Sequence, residues 1–191
     1  MMKNRKVELN FTPWEVVDSN DLLIVDPWIK VWREKVQLPS GKIISDFHRV
    51  SMPNASGIVP VSPEGDVMLL RQYKHGVGRM VLTLPGGFCA KNEVPLDCAQ
   101  RELMEETGYS GTEWIDLGSY VRDGNRGGGI DHLFLAMNVS KVSEPDHLDF
   151  EATQVEWFSI SDVLDLIRLR KIDLVGAAAA LLLAKLYLDD N

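Results

Sequence analysis

The sequence predicts an α+β fold, a mixed β-sheet layered between helices as an α/β/α sandwich and preceded by an antiparallel β arm. Three observations predict it. Short strand-like runs dominate the first two thirds of the 191 residues, one well-bounded helix interrupts them at Pro95–Thr107, and an uncharged Ala-rich run, Leu174 to Ala184, reads as a buried helix near the end. At roughly 150 residues per domain the length allows one catalytic-sized domain with an extra arm. The boundaries expected are an arm over residues 1–50 and a single domain over 51–191.

Residues 1–21 show no clear period, and from Leu22 to about Met52 the reading is strand. Trp28–Leu38 alternates loosely through Ile29, Val31, Arg33 and Lys35, Pro39-Ser40-Gly41 makes a turn, and Lys42–Met52 reads as the hairpin partner. Ala55–Val61 and Val67–Tyr73 are apolar strands around the turn SPEGD. The Gly-rich stretch KHGVGRM leads into VLTLPGGF. The helix Pro95–Thr107 carries both boundary signals: Pro95 suits the first turn, where its missing N–H costs nothing, and Gly108 suits the left-handed position that ends a helix. Trp114–Arg122 and Ile130–Asn138 read as strands around the loop DGNRGGG. A polar loop, Val139–Glu151, is followed by a strand over Ala152–Phe158. Ser161 can cap a helix running to about Leu169, and Leu174–Leu188 forms the last one.

Composition narrows the function classes. Hydrophobic residues make up 45% and charged residues 25%, the balance of a folded globular domain. Lys plus Arg is 20 against 28 for Asp plus Glu, a net charge of −8, which lacks the electrostatic footprint for nonspecific nucleic-acid binding. The same charge would repel a phosphorylated substrate unless cations or local arginines intervene. Leu174–Ala184 is too short to cross a bilayer, which needs about 18–20 apolar residues, and the basic start MMKNRKVELN has no apolar stretch behind it. Two cysteines, Cys89 and Cys98, make no disulfide framework, and no second pair completes a zinc site. The expectations are a cytoplasmic location, no membrane and no nucleic-acid partner.

The chemistry concentrates in Gly87–Tyr109, GFCAKNEVPLDCAQRELMEETGY. On a helix, Glu102 and Glu106 lie one turn apart and Glu105 falls three residues after Glu102, so three carboxylates crowd one side. Leu96, Ala99 and Leu103 mark a neighbouring apolar stripe that would pack on the sheet. Three like charges on one stripe destabilise a bare helix, and a hard divalent cation such as Mg²⁺ removes the conflict while keeping waters for substrate phosphates. Taken alone the triplet is equally a solvated acidic face. The surrounding spacing decides otherwise: Gly87, five residues, Glu93, seven residues, Arg101-Glu102-Leu103-x-Glu105-Glu106-x-Gly108 and then Tyr109. This resembles the Nudix box of the Nudix hydrolases, with Tyr109 in place of the usual aliphatic as the single departure.

The resemblance implies a Nudix fold and hydrolysis of a diphosphate linked to another moiety, with Mg²⁺ or Mn²⁺ as cofactor. It implies Glu102, Glu105 and Glu106 as metal ligands together with the Gly86 carbonyl. Glu105 and Glu106 are thereby catalytic carboxylates, and Gly87, Glu93 and Arg101 are structural within the box. From about Trp28 onward the chain also resembles the ADP-ribose pyrophosphatase branch, through VQLPSG (36–41), LLRQYK (69–74), LPGGF (84–88), LGSY (117–120) and HLFLA (132–136). That branch implies a nucleoside diphosphate sugar as substrate, ADP-ribose first, and an N-terminal arm that pairs two subunits as a homodimer and helps to build the nucleoside pocket. Many branch members carry a Ser-Pro-Gly motif where this chain has Arg122-Asp123-Gly124-Asn125-Arg126-Gly127-Gly128-Gly129.

The remaining site residues stay open between two readings. Glu151, or second Asp149, stands where related enzymes carry a general base, in what is otherwise a solvated acidic loop. Arg71 reaches a diphosphate or makes a strand-end salt bridge. Arg126 contacts an anionic group or caps a flexible hairpin tip. Trp28, with Trp14 and Trp32, stacks a base or belongs to core or interface. Two other functions fit the same box: hydrolysis of another substrate, such as GDP-mannose, another nucleotide sugar or a nucleoside triphosphate, and a non-catalytic nucleotide-sensing module. The intact glutamates and the absence of any helix-turn-helix signal argue against the second.

Overall fold

The computed structural model describes residues 12–146 and 153–190. Contacts divide them into two units. The first holds the N-terminal segment up to Met52 together with Asp123–Gly128, and the second holds Pro53–Arg122 and the chain from Gly129 onward.

The first unit is an antiparallel meander of β1 (Glu15–Val25), β2 (Ile29–Gln37) and β3 (Ile43–Ser51). The sequence reads as strand only from Leu22, so the first part of β1 is not legible, and its burial explains why. Every one of its residues is exposed, so no face selects alternation, and the backbone ladder to β2 defines the strand. In β2 the buried phase is Glu34 and Val36, with Trp32 half-buried beside them. The Trp32 indole N–H donates to Glu34 at 2.7 Å, and the Arg49 guanidinium stands 5.3 Å from the Trp32 ring. Trp14 meets Phe47 edge to face at 5.8 Å.

In the second unit, β4 (Ala55–Pro60), β5 (Val67–Lys74), β6 (Arg79–Thr83) and β7 (Gly86–Phe88) precede the helix α1 (Pro95–Thr107). After it come β8 (Tyr109–Ser110), β9 (Glu113–Asp123), β10 (Gly127–Met137), β11 (Ser140–Lys141), β12 (Thr153–Phe158), α2 (Ile160–Arg168) and α3 (Val175–Asp190). β10 runs parallel to β4 from Asp131↔Ala55 to Ala136↔Pro60, while β7 joins β4 antiparallel, so the sheet is mixed. β12, β5 and β6 form a second, antiparallel sheet. Successive residues point to opposite faces and feed two cores. Ile58, Met68, Leu70 and Phe134 pack with Ala99 and Leu103 of α1. Val59, Leu69 and Leu135 pack with Val163 of α2 and with Ala177, Ala180, Leu181 and Ala184 of α3. The α/β/α layering predicted from sequence is the one observed. Among the described residues no helix is long and apolar enough to cross a membrane.

Two boundaries differ from the sequence reading. Ser159, not Ser161, caps α2, its hydroxyl accepting from the Asp162 N–H at 3.2 Å while Ser161 sits beside it at 2.9 Å. Gly127–Gly129, read as loop, begin β10 instead. All three adopt positive φ, and at Gly127 a Cβ would stand 2.8 Å from the Val50 carbonyl oxygen, so the glycine permits the close pairing with β3. The turn itself is Asp123–Arg126, held by Asp123 Oδ1 accepting from the N–H groups of Asn125 and Arg126 at 2.7 and 2.9 Å.

Candidate active site

The helix α1 has the bounds its sequence signals predict. Pro95 opens it after an extended Val94, and Gly108 ends it at φ 74°, its N–H donating to the Met104 carbonyl at 2.8 Å. A Cβ on Gly108 would meet the Ser143 carbonyl oxygen at 2.1 Å, so the glycine also admits the returning chain. Buried Ala99 and Leu103 lock the helix on the sheet and leave the carboxylates on the flank beside that stripe.

Arg101 organises them. Its guanidinium makes a two-point bond to Glu93, Nε to Oε1 at 2.9 Å and Nη2 to Oε2 at 3.1 Å. Nη1 donates to Glu102 at 2.7 Å and to Glu105 at 2.9 Å, and Nη2 reaches the Phe88 carbonyl at 3.3 Å. One cation thus holds three carboxylates in register. Their exposure grades outward, from a Glu102 side chain 13% exposed to a Glu105 side chain 49% exposed. Glu106 lies on the inner side, where its Oε2 accepts from the Gly86 N–H at 2.8 Å. Burial pushes its carboxyl up to about 7, and that Gly86 bond, the charge of Lys74 and a hydrogen bond from Gln72 pull the other way.

The two glycines before the helix have different duties. A Cβ on Gly86, at φ 150°, would lie 2.2 Å from the Ser56 carbonyl oxygen, so this residue must be glycine for β7 to pair with β4. A Cβ on Gly87 would lie 2.5 Å from Glu102 Oε2, so here the glycine makes room for the carboxylate.

Glu93 carries a pH signature. The Arg101 bonds, then the Ala90 N–H at 2.7 Å, hold its carboxyl down to about 2. A depressed carboxyl stabilises the fold fully above the ordinary value of 4.5, and the contribution is lost as pH falls towards about 2. With the partly exposed Arg101 screening the pair, the loss expected is about 1–2 kcal/mol. Urea unfolding followed over that pH window checks it: Glu93→Gln should flatten the slope, and an unchanged slope contradicts the role.

The structure therefore brings together Gly86, Gly87, Glu93, Arg101, Glu102, Glu105 and Glu106. Arg71, on β5, pairs with Glu156 of β12, with Nη2 to Oε2 at 3.1 Å, the strand salt bridge that was one of its two readings. Trp28 and Arg126 belong to the first unit. Trp28 is 57% exposed in the turn after β1, and the exposed Arg126 side chain faces Asp123 at 3.8 Å. Glu151 and Asp149 lie outside the described residues. Sequence reasoning missed Gln72, 3% exposed, whose amide N–H₂ donates to Thr153 at 3.3 Å and whose Oε1 has no partner among the described residues. The signal was available: Gln72 continues the buried phase of Met68 and Leu70, and a polar residue in that phase needs a reason.

Comparison with known proteins places this geometry. A family model described as NUDIX domain matches residues 52–176. An ADP-ribose pyrophosphatase of Bacillus subtilis (strain 168) is 31% identical over 145 residues, covering 75% of this chain and 78% of that protein. A methanol dehydrogenase activator of Bacillus methanolicus is 30% identical over 121 residues, 63% of this chain and 65% of that protein. A solved structure described as an ADP compounds hydrolase superposes with a TM-score of 0.82 at 18% identity, over 95% of this chain and 97% of that one, a likeness of fold. With the family model spanning more than half of its length and the box glutamates Glu102, Glu105 and Glu106 on one helix, the chain belongs to the Nudix family of hydrolases.

Proposed function

We propose that this hydrolase cleaves the diphosphate of a nucleoside diphosphate sugar, ADP-ribose first, to a nucleoside monophosphate and a sugar phosphate, with Mg²⁺ (or Mn²⁺) as cofactor. The observation that carries the reading is the carboxylate array of α1, Glu102 and Glu105 set by Arg101 and Glu106 by the Gly86 N–H, against the Gly86–Gly87 strand. The donor set fits a hard cation: all-oxygen ligands, one of them a partly desolvated carboxyl whose charge a cation would compensate. Glu102, Glu105 and Glu106, with the Gly86 carbonyl, would hold it. Such an ion supplies charge neutralisation for the phosphates and a more acidic bound water. The chain's own part is positional. Arg101 fixes the rotamers of Glu102 and Glu105, the Gly86 N–H fixes Glu106, and Gln72 supports Glu106 from the core. Glu151 or Asp149 remains the proposed general base, and Arg71, Arg126 and Trp28 the proposed substrate contacts. The names of the relatives, two ADP-ribose pyrophosphatases and a mouse ADP-sugar pyrophosphatase, support the substrate class. Catalytic efficiency for ADP-ribose should exceed that for any common nucleoside triphosphate by at least about tenfold, 1.4 kcal/mol of transition-state binding. A panel of ADP-ribose, ADP-glucose, GDP-mannose, UDP-glucose and triphosphates at fixed Mg²⁺ checks it, and a leading triphosphate would overturn the substrate class.

The arm over residues 1–50 is proposed as the dimer-forming and nucleoside-pocket element of a cytoplasmic homodimer. Val16, Val17, Leu22, Leu23, Ile24 and Val25 of β1 are all between 46% and 58% exposed, an apolar strand that asks for cover. Deleting residues 1–45 should give a monomer with weakened substrate binding. Light scattering showing the full-length chain already monomeric would remove the idea.

A further inference from the structure

The loop between β7 and α1 and the first turn of α1 gather a second set of donors, chemically unlike the glutamates of α1. The Cys89 and Cys98 sulfurs and a Glu93 carboxylate oxygen all lie within 4.8 Å of one another. Both cysteines are free; Cys98 is buried and Cys89 half-buried, which leaves the cluster a side open to solvent. Neither thiol has a task in the proposed hydrolysis. We propose that Cys89, Cys98 and Glu93 form a binding site for a thiophilic divalent cation of the Zn²⁺ class, separate from the all-oxygen site of α1.

Three arguments carry this. The first is distance. Around a tetrahedral ion with bonds of about 2.3 Å to sulfur and 2.0 Å to oxygen, donors stand about 3.5–3.8 Å apart, so the cluster has to contract by no more than about 1.3 Å. A disulfide needs the sulfurs at about 2.05 Å, a closure of up to about 2.7 Å, and fits less well. The second is the hydrogen-bond pattern. The Cys98 thiol donates to the Gly87 carbonyl at 3.9 Å, a long bond, and an ion bound between its sulfur and the nearby Glu93 oxygen takes the place of that proton. The other carboxylate positions are already held by Arg101 and the Ala90 N–H, which fix the oxygen in place. The third is charge. Binding releases two thiol protons for one dication, so the cluster carries the same net charge before and after. The Arg101 guanidinium, 3.7 Å from the Cys98 sulfur, therefore meets no new positive charge. The fourth position falls to water on the Cys89 side, where the Ser56 hydroxyl stands 3.4 Å from the sulfur.

Sulfur ligands also separate the two sites by softness: Mg²⁺ prefers the glutamates, Zn²⁺ and Cd²⁺ the thiolates. The test uses reduced, full-length protein in excess Mg²⁺, titrated with Cd²⁺ while sulfur-to-metal charge-transfer absorption is followed. One equivalent should saturate the band and protect both thiols from a disulfide reagent. Cys89→Ser and Cys98→Ser should each weaken Cd²⁺ binding by at least about tenfold and lower the absorption per ion. Cys89 is half-buried in a loop, so its serine variant keeps the fold even if that of Cys98 does not. No charge-transfer band at equimolar Cd²⁺, or a band undiminished in Cys89→Ser, overturns the proposal.

Discussion

Glu106→Gln is expected to lower kcat by at least about a thousandfold while the protein stays folded. The reason is local. Glu106 is the inner carboxylate of the array, and its Oε2 accepts from the Gly86 N–H. The glutamine oxygen can accept the same bond in the same space, so the packing between α1 and β7 survives. What disappears is the negative charge that a cation needs. Because burial works against that charge in the native protein, its removal should leave thermal stability without divalent cation unchanged or raised. The informative experiment measures kcat and melting temperature on the same preparation. Turnover within tenfold of wild type would remove Glu106 from the mechanism, and a collapse in stability would make it a structural residue.

The second large effect separates the two glycines. Gly86→Ala puts a Cβ 2.2 Å from backbone, the Ser56 carbonyl oxygen, and does so at a φ that suits glycine. Neither strand can retreat without breaking the β4–β7 ladder, so the expected loss is about 3 kcal/mol or more of unfolding free energy. Gly87→Ala, one residue on, meets a side-chain end, the Glu102 carboxylate at 2.5 Å. That carboxylate can swing away, so stability should change by no more than about 1 kcal/mol, while turnover falls by about a hundredfold as the ligand leaves its position. Urea unfolding and steady-state kinetics on both variants test the contrast. A reversal, with Gly86→Ala stable and Gly87→Ala unfolded, would refute the assignment of duties.

What was legible in the sequence was what local chemistry encodes. Pro95 and Gly108 mark both ends of α1, and the spacing of Glu102, Glu105 and Glu106 places them on one side whatever surrounds the helix. The strands that feed both cores were legible because burial imposes a pattern on them. The part of β1 before Leu22 was not, because exposure on both faces imposes none. The cap of α2 fell between two serines two residues apart, and only backbone geometry distinguishes Ser159 from Ser161. Gly127–Gly129 looked like loop because pairing with β3 at Val50 joins segments far apart in sequence. The neighbourhood of Cys89, Glu93 and Cys98 was hidden for a simpler reason. The sequence holds no second cysteine pair to complete a zinc site, and the third donor is a glutamate already accounted for by its arginine.

The alternation along β4, β5 and β10 has a consequence for how this protein tolerates change. Neighbours in sequence such as Met68 and Leu69, or Phe134 and Leu135, serve opposite faces and share no packing partner among the helices. Energetic effects on the two faces should then add. A volume change beneath α3, at Leu181, can be made without altering the seat of α1, and a change beside α1, at Leu103, without loosening α3. The half of the molecule that carries the glutamates is in this sense insulated from the half that supplies most of the apolar mass. Reshaping substrate preference and raising stability become separable undertakings, to be pursued on opposite faces of the two sheets.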